Sequence, residues 1–243
     1  MTRPDPDPLA VTSTERLNLR TQRVAFTGDL RVAHLRPASH LSLWFSDPTA
    51  ASATPRQRRS DKRSFTPRFI DPRAGTMTID FVLHGSGPAS TWASSALPGD
   101  VLWAGEVTGG YVVPTDLEFL VLIGDDTAMP AIGTIIDTIP PDVGICVIIE
   151  VVDDRDEREL SRMRQVDPIW LPRGADPGLT GQATLNLMRE LEVPPNAHWW
   201  VAGEREAIRA MRDILVDERG VDRDRYSLNA HWRLTETDPR LRA

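Results

Sequence analysis

The chain has 243 residues, 40% of them hydrophobic and 26% charged, with a net charge of −7. That is the composition of a soluble globular protein, long enough for one large or two modest domains with a real core. A single cysteine, Cys146, excludes an internal disulfide and any multi-thiolate metal or iron–sulfur site, and five histidines without HxH or HExxH spacing offer no histidine metal site. No run approaches the ~20 apolar residues of a membrane span, and the acidic, proline-rich start MTRPDPDPLAV lacks the pattern of a signal peptide. The expectation is a cytoplasmic protein that does not bind a membrane. Lys62 is the only lysine, and the acidic balance argues against general nucleic-acid binding.

The first half reads as short strands punctuated by turns. VAFTGDL (24–30), HLSLWF (40–45), the stretch 65–70, TMTIDFVLH (76–84) and VLWAGEV (101–107) mix β-branched and aromatic residues with partial alternation. Turn signals such as Thr27-Gly28-Asp29, Ser46-Asp47-Pro48 and Asp71-Pro72-Arg73 separate them. This spacing suggests a small antiparallel barrel. Residues 46–62, poor in apolar side chains, are expected to form a mobile loop.

After Pro114 the pattern changes. LEFLVLIGDD (117–126) and VGICVIIEVVDD (143–154) are continuous apolar runs ending in acids, as expected of strands buried on both faces. Helical spacing follows in TAMPAIGTIIDTI, with Pro130 in the first turn, then in GLTGQATLNLMRELE (178–192) and REAIRAMRDILVDERG (205–220). HWWVAGE (198–204) is a further strand. Strand–helix alternation of this kind predicts an open parallel sheet. The division between the halves is expected near Pro114–Glu118, giving domains at 12–115 and 116–243. The tail after Trp232 is polar and expected to fray.

Four constellations could carry chemistry. Arg63-Ser64-Phe65-Thr66 with Arg68 could hold a phosphate and stack a planar ring, or could be an ordinary strand with exposed arginines. HGSGPASTWA (84–93) could bring backbone N–H groups to a pyrophosphate at a helix starting near Pro88, or could be a plain strand-to-helix turn. IGDDTAMPA (123–131) places small groups at the carboxyl edge of a parallel sheet, where ligands bind, although Asp125 or Thr127 there could equally cap the helix. Ala202-Gly203 in WVAGE falls at the same edge, where close strand–helix packing is the alternative. Trp199 and Trp200 read as core and edge residues rather than a stacking platform, Cys146 as a buried small residue, and Asp153, Asp154, Asp156 and Glu157 as a solvated turn.

Taken together in this order, these segments resemble the siderophore-interacting protein family, flavin-dependent ferric-siderophore reductases of the ferredoxin-reductase superfamily. The resemblance runs from about Arg16 to Leu234. RSFTPRF is similar to the family's Arg-x-Tyr-Thr-x-Arg segment, HGSGPASTWA to its His-Gly-x-Gly-Pro-Ala-x-x-Trp-Ala, and IGDDTAMPAI to its Gly-Asp-Glu-Thr-Ala-Leu-Pro-Ala-Ile. WVAGE and AHWRL (230–234) resemble Trp-x-Ala-Gly-Glu and Tyr-Trp-Arg elements. Phe65 stands where the family has tyrosine, His231 replaces the late tyrosine, and Asp126 and Met129 replace glutamate and leucine.

The resemblance implies a β plus α/β architecture: an N-terminal six-stranded antiparallel FAD-binding barrel, then a Rossmann-like parallel-sheet domain that receives NADPH or NADH. It implies that Phe65 lies against the isoalloxazine, that Thr66 hydrogen-bonds the flavin near N5, and that Arg63 pairs with the pyrophosphate. His84, Gly85, Gly87, Pro88 and Ala89 would line the phosphates and adenosine, with Trp92 bracing that turn. Asp125, Thr127 and Ala128 would flank the nicotinamide approach opposite Gly203 and Glu204, and Trp232 would approach the flavin from the C-terminus. Thr66 and Thr127 are the candidate catalytic residues.

The substrate implied is a ferric siderophore, generally anionic, so a local basic mouth is expected on this acidic chain. Arg56, Arg58, Arg59, Lys62 and Arg68, with Arg233 from the tail, are its candidates; a solvated loop is the alternative reading of that patch. No protein metal ligand is required, because reduction to ferrous iron itself weakens the hold of hard-oxygen chelators. A ferredoxin could replace the nicotinamide as donor, and Arg155 and Arg158 are the candidates for a 2′-phosphate contact. The chain is expected to act as a monomer. Competing expectations are a flavin reductase or electron-transfer module for another acceptor, and a siderophore-binding protein without turnover.

Overall fold

The computed structural model describes residues 6–50, 54, 56–57, 61–84 and 87–234. The chain divides into two compact units, Met1–Val112 and Val113–Ala243.

Unit 1 is built on one antiparallel sheet. Its strands are β1 (Asp7–Asn18), β2 (Thr21–Gly28), β3 (Leu41–Trp44), β4 (Lys62–Phe65), β5 (Pro67–Asp71), β6 (Thr76–Val82) and β7 (Val101–Ala104), in the spatial order β4-β3-β7-β1-β2-β6-β5. The two ends of that row are consecutive in the chain. β4 pairs with β3 and β5 with β6, and only Thr66 separates them. Six lengths of chain therefore curl the sheet back on itself, in keeping with a six-stranded barrel, although the fourth length registers as two strands. The long β1 bends through two register shifts, between Val11 and Ser13 and between Arg16 and Asn18, which is how bulges let one strand serve a curved sheet.

Inward-facing Leu9, Val11, Val24, Phe26, Leu43, Met77, Ile79, Phe81 and Leu102 fill the interior. A short helix, α1 (Pro88–Ser95), buries Ala93 against this core. On the sheet, Arg23 and Asp80 are directly opposed on β2 and β6 and form a two-bonded ion pair at 2.7 and 2.9 Å.

Unit 2 is a five-stranded, wholly parallel sheet. Its strands are β8 (Phe119–Asp125), β9 (Gly144–Val151), β10 (Ile169–Pro172), β11 (His198–Glu204) and β12 (Tyr226–Trp232), ordered β10-β9-β8-β11-β12. Three helices connect them: α2 (Met129–Ile136), α3 (Gln182–Glu190) and α4 (Arg205–Asp213). The central strands are apolar on both sides, as the sequence requires. Trp199 and Trp200 are buried in them.

In α4 the residues Ala207, Ile208 and Met211 face the sheet, while Arg209 and Arg212 stay in solvent. The single helix expected over 205–220 instead widens after Asp213 into a π turn, Ile214–Glu218. Arg219 then donates to the carbonyls of Met188 and Leu191 and lies over the Trp199 ring, which pins the widened end. β10 and β12, absent from the sequence reading, are the two edge strands.

Candidate functional site

In unit 1 the segments singled out by sequence form an aromatic cluster beside a helix start. Phe65, at the end of β4, is half-buried, with its ring centroid 4.7 Å from Phe81 and 6.1 Å from Phe45. Trp92 on α1 joins the same cluster, stacked on Phe26 at 6.1 Å and edge-on to Phe45 at 5.9 Å. Thr66 occupies the break between β4 and β5, where the chain leaves one partner strand for another. Arg63 is exposed on β4 and donates to the Lys62 carbonyl at 2.8 Å.

The start of α1 is open in a particular way. Gly87 is its N-cap and Pro88 its first residue; no side chain caps it and no acid stands in its first turn. The exposed His84 just before it donates its backbone N–H to Ser90 Oγ at 3.2 Å. A half-exposed aromatic face, an exposed guanidinium and an acid-free helix N-terminus fit the ring and the pyrophosphate of a flavin dinucleotide. Gly85, Arg58 and Arg59 lie outside the described residues.

The candidates for the basic mouth differ in exposure. Arg68 is buried, 6% exposed, with its guanidinium 4.3 Å from the Phe69 ring centroid; Arg23 approaches the same ring at 5.3 Å. The β5–β6 register shifts between Pro67 and Phe69, so Arg68 is the bulged residue, and a bulge re-aims the side chain it carries. Lys62 is half-buried, with Nζ 5.2 Å from the Trp44 ring. Arg56 is exposed, as is Arg233 beyond β12.

In unit 2 the candidates converge on the carboxyl edge of the parallel sheet. The chain runs from β8 outward to β9 and β10, then returns to β11 and β12 on the other side, so the order reverses between β8 and β11. Open α/β sheets bind ligands at such a reversal, outside the carboxyl ends of the strands. A narrow crevice lies there, lined by Asp125, Glu150, Gly181, Gly203, Glu204 and Met211 among others.

Asp125 organises one wall. Its Oδ1 accepts from the backbone N–H and hydroxyl of Thr127, and its Oδ2 accepts from Trp232 Nε1 at 2.7 Å. Thr127 Oγ1 lies 3.4 Å from His231 Nδ1. Ala128 is fully buried behind this turn. Gly203 is required opposite, because a Cβ there would stand 2.8 Å from Asp125 Oδ2. Glu204 is the N-cap of α4: Oε2 accepts from Glu206 N and Ala207 N, and Oε1 from Leu234 N at 3.0 Å.

One acid at this edge, Glu150, escaped the sequence reading. Glu150, near the end of β9, accepts from Gly181 N at 2.7 Å and has Arg173 Nε 3.5 Å from its other oxygen. Burial pushes its carboxyl up to about 7, with the nearby Asp125 and Asp126 adding to the rise against the pull of the Gly181 N–H and Arg173. Asp126 is likewise raised to about 7, by burial first and by Asp125 next. The signal that could have found Glu150 is a lone acid inside the apolar run VGICVIIEVV. Arg155, a candidate for a 2′-phosphate, is instead held by both oxygens of Asp153, at 2.9 and 2.7 Å.

A curled antiparallel sheet followed by a parallel sheet with connecting helices is a ferredoxin-reductase-like fold of two units. Residues 10–106 match the model for the siderophore-interacting FAD-binding domain and residues 117–235 that for the siderophore-interacting protein. The chain belongs to the siderophore-interacting protein family. A crystal structure of a siderophore utilization protein from T. fusca superposes with a TM-score of 0.81 at 31% identity, covering 97% of this chain and 95% of that one. The ferric vibriobactin reductase ViuB of Vibrio cholerae is 28% identical over 227 residues, 87% of this chain and 83% of ViuB. The mycobactin import ATP-binding/permease protein IrtA of Mycolicibacterium smegmatis is 34% identical over 233 residues. That stretch covers 91% of this chain but only 25% of IrtA, so the chain spans about a quarter of that relative's length. No helix among the described residues is long and apolar enough to cross a membrane.

Proposed function

We propose that this protein is an FAD-dependent oxidoreductase that reduces ferric siderophores and so releases ferrous iron in the cytoplasm, with NADPH or NADH as electron donor. The observation that carries the reading is the pairing of the half-exposed Phe65 ring with the acid-free start of α1, inside the segment that matches the siderophore-interacting FAD-binding domain. The name of the vibriobactin reductase, which the chain matches over most of both lengths, supports ferric-chelate reduction as the reaction.

Unit 1 would hold the flavin. Phe65 offers its free face to the ring system, Thr66 a hydrogen bond at the ring's edge, and Arg63 a charge for the pyrophosphate. His84, Gly85, Gly87, Pro88 and Ala89 would take the phosphates and adenosine, with Trp92 locking α1 to the aromatic core behind them. A bound flavin supplies the conversion between the two-electron hydride of a nicotinamide and the one-electron reduction of ferric iron.

Unit 2 would receive the donor at its sheet edge. Asp125 fixes the turn that carries Thr127 and Ala128, and Gly203 keeps the opposite wall open for it. Ferrous iron leaves because oxygen-rich siderophores hold it far less tightly than ferric iron. Arg56, Arg58, Arg59 and Lys62 in unit 1, and Arg233 in unit 2, would each add attraction for an anionic chelate.

The test is direct. Purified protein is incubated with FAD, freed of excess and scanned in the visible. Flavin bands, bleached anaerobically by a reduced nicotinamide and restored by a ferric siderophore with ferrous iron trapped by a chromogenic chelator, are the expected result. A protein that never retains flavin overturns it.

A further inference from the structure

The outward side of the curled sheet in unit 1 is not uniform. Across β2 and β6 it carries small or polar side chains: Arg23 opposite Asp80, Ala25 opposite Thr78 and Thr27 opposite Thr76. Apolar inside and polar outside is the pattern of a sheet with one solvated face. At β1, β3 and β7 the pattern breaks. Leu9, Leu43, Leu102 and Ala104 point into the core, which turns Pro8, Trp44 and Trp103 outward. The pairing register sets these in one row across the sheet. Lys62 on β4 is opposite Trp44, Trp44 is opposite Trp103, and Trp103 is opposite Pro8.

Both indoles stand apart from the core cluster that holds Phe65, and both are half-buried. Trp44 lies over Gly105, where an added Cβ would stand 3.5 Å from the ring, and Lys62 Nζ is 5.2 Å from the same ring. Among the described residues neither indole N–H, nor the Lys62 ammonium, has a hydrogen-bond or ion-pair partner. The row thus offers flat apolar surface, two N–H donors and one cation. It crosses four strands, about 14 Å, far short of the roughly 800 Å² that a stable protein partner covers. The chemistry complementary to all three features is an aromatic ring carrying anionic oxygen. An aliphatic hydroxamate would meet the cation but leave the rings uncovered. An apolar protein side chain would cover the rings but leave the donors unmet.

We propose that this row is a subsite for the aromatic arm of an anionic iron chelate, so that the protein prefers catecholate siderophores to hydroxamate ones. This deepens the reading of the chain as a ferric-siderophore reductase and rests on it. Lys62 and Phe65 stand at the two ends of β4, about 10 Å apart along the strand. An arm seated on the row therefore stays close to the position proposed for the flavin.

The test uses gallium(III) complexes, which take up no electron, of a tris-catecholate and a trihydroxamate, titrated calorimetrically into the FAD-loaded protein. The catecholate complex should bind about tenfold more tightly or better. Trp44→Ala and Trp103→Ala should each weaken it by about three- to tenfold and leave the hydroxamate complex unchanged. Flavin content and thermal melting check that both variants are folded. Equal affinity for the two complexes in the parent protein, a comparison that needs no variant, overturns the proposal and leaves the reductase reading intact. A catecholate preference that both variants keep does the same. A flavin-loaded parent that binds neither complex overturns the reductase reading and the proposal together. A dimer in sedimentation velocity that Trp103→Ala dissolves gives the row to a second copy of the chain and also overturns the proposal.

Discussion

Trp232 donates its indole N–H to Asp125 Oδ2 at 2.7 Å, joining residues 107 positions apart at the last turn of the sheet edge. The bond ties the end of β12 to the end of β8, two strands that do not pair with each other. Asp125 is nearly buried, so removing its donor leaves a carboxylate oxygen short of a partner. Trp232→Phe should therefore cost about 1–3 kcal/mol, seen as a drop in Tm of several degrees by thermal melting followed by circular dichroism. Unchanged melting would show that water replaces the indole at no cost.

Gly203 faces the same carboxylate. A methyl group there would overlap Asp125 Oδ2 at 2.8 Å, and relief would require the Asp125 side chain to turn away from Trp232 or Thr127. Gly203→Ala should lower Tm by an amount similar to Trp232→Phe, and the two losses should not add in the double variant, because both act on one hydrogen-bonded group. Full additivity by thermal melting would separate them.

How much of this was legible in sequence follows from burial. β8 and β11 announce themselves because both faces are covered, which forces continuous apolar runs. β1 hides because only Leu9 and Val11 among its residues are buried, and the rest alternates with polar groups. β12 hides because none of its residues is fully buried, as befits an edge strand. The switch of partners at Thr66 is a property of the curled sheet and leaves no local mark. The flavin-type segments were legible through the family resemblance. The burial of Arg68 was not, since a one-residue bulge reverses which side chains point inward.

Glu150 and Asp126 give the protein a pH signature. Both are raised to about 7 in the folded chain, above their ordinary carboxylate values. The native state therefore holds these protons more tightly than the unfolded chain. Their stabilising contribution is fully present below the unfolded carboxylate range near pH ~4 and is lost as pH rises through about 7. Glu150→Gln removes one charge that must be buried at high pH. The Tm of this variant minus that of the parent should grow between about pH 5 and pH 8, with a ceiling of about 3 kcal/mol on the gain. A gap that stays constant with pH would place the Glu150 carboxyl in the ordinary range.

In unit 1 the decisive variants are Phe65→Ala and Arg63→Ala, because they divide packing from charge. Phe65 touches Phe81 and Phe45, so its truncation opens the aromatic cluster and should lower both Tm and flavin retention. Arg63 stands exposed on β4, where loss of the guanidinium leaves the core intact. Its replacement by alanine should weaken flavin binding by about 1.5–3 kcal/mol, the scale of a hydrogen bond to a charged group, while Tm of the flavin-free protein changes little. Flavin content after gel filtration, read from the visible band against protein absorbance, measures the first effect; thermal melting of flavin-free samples measures the second. If Arg63→Ala keeps the parent's flavin content, the pyrophosphate is held elsewhere, and the open N-terminus of α1 becomes the anchor to test next.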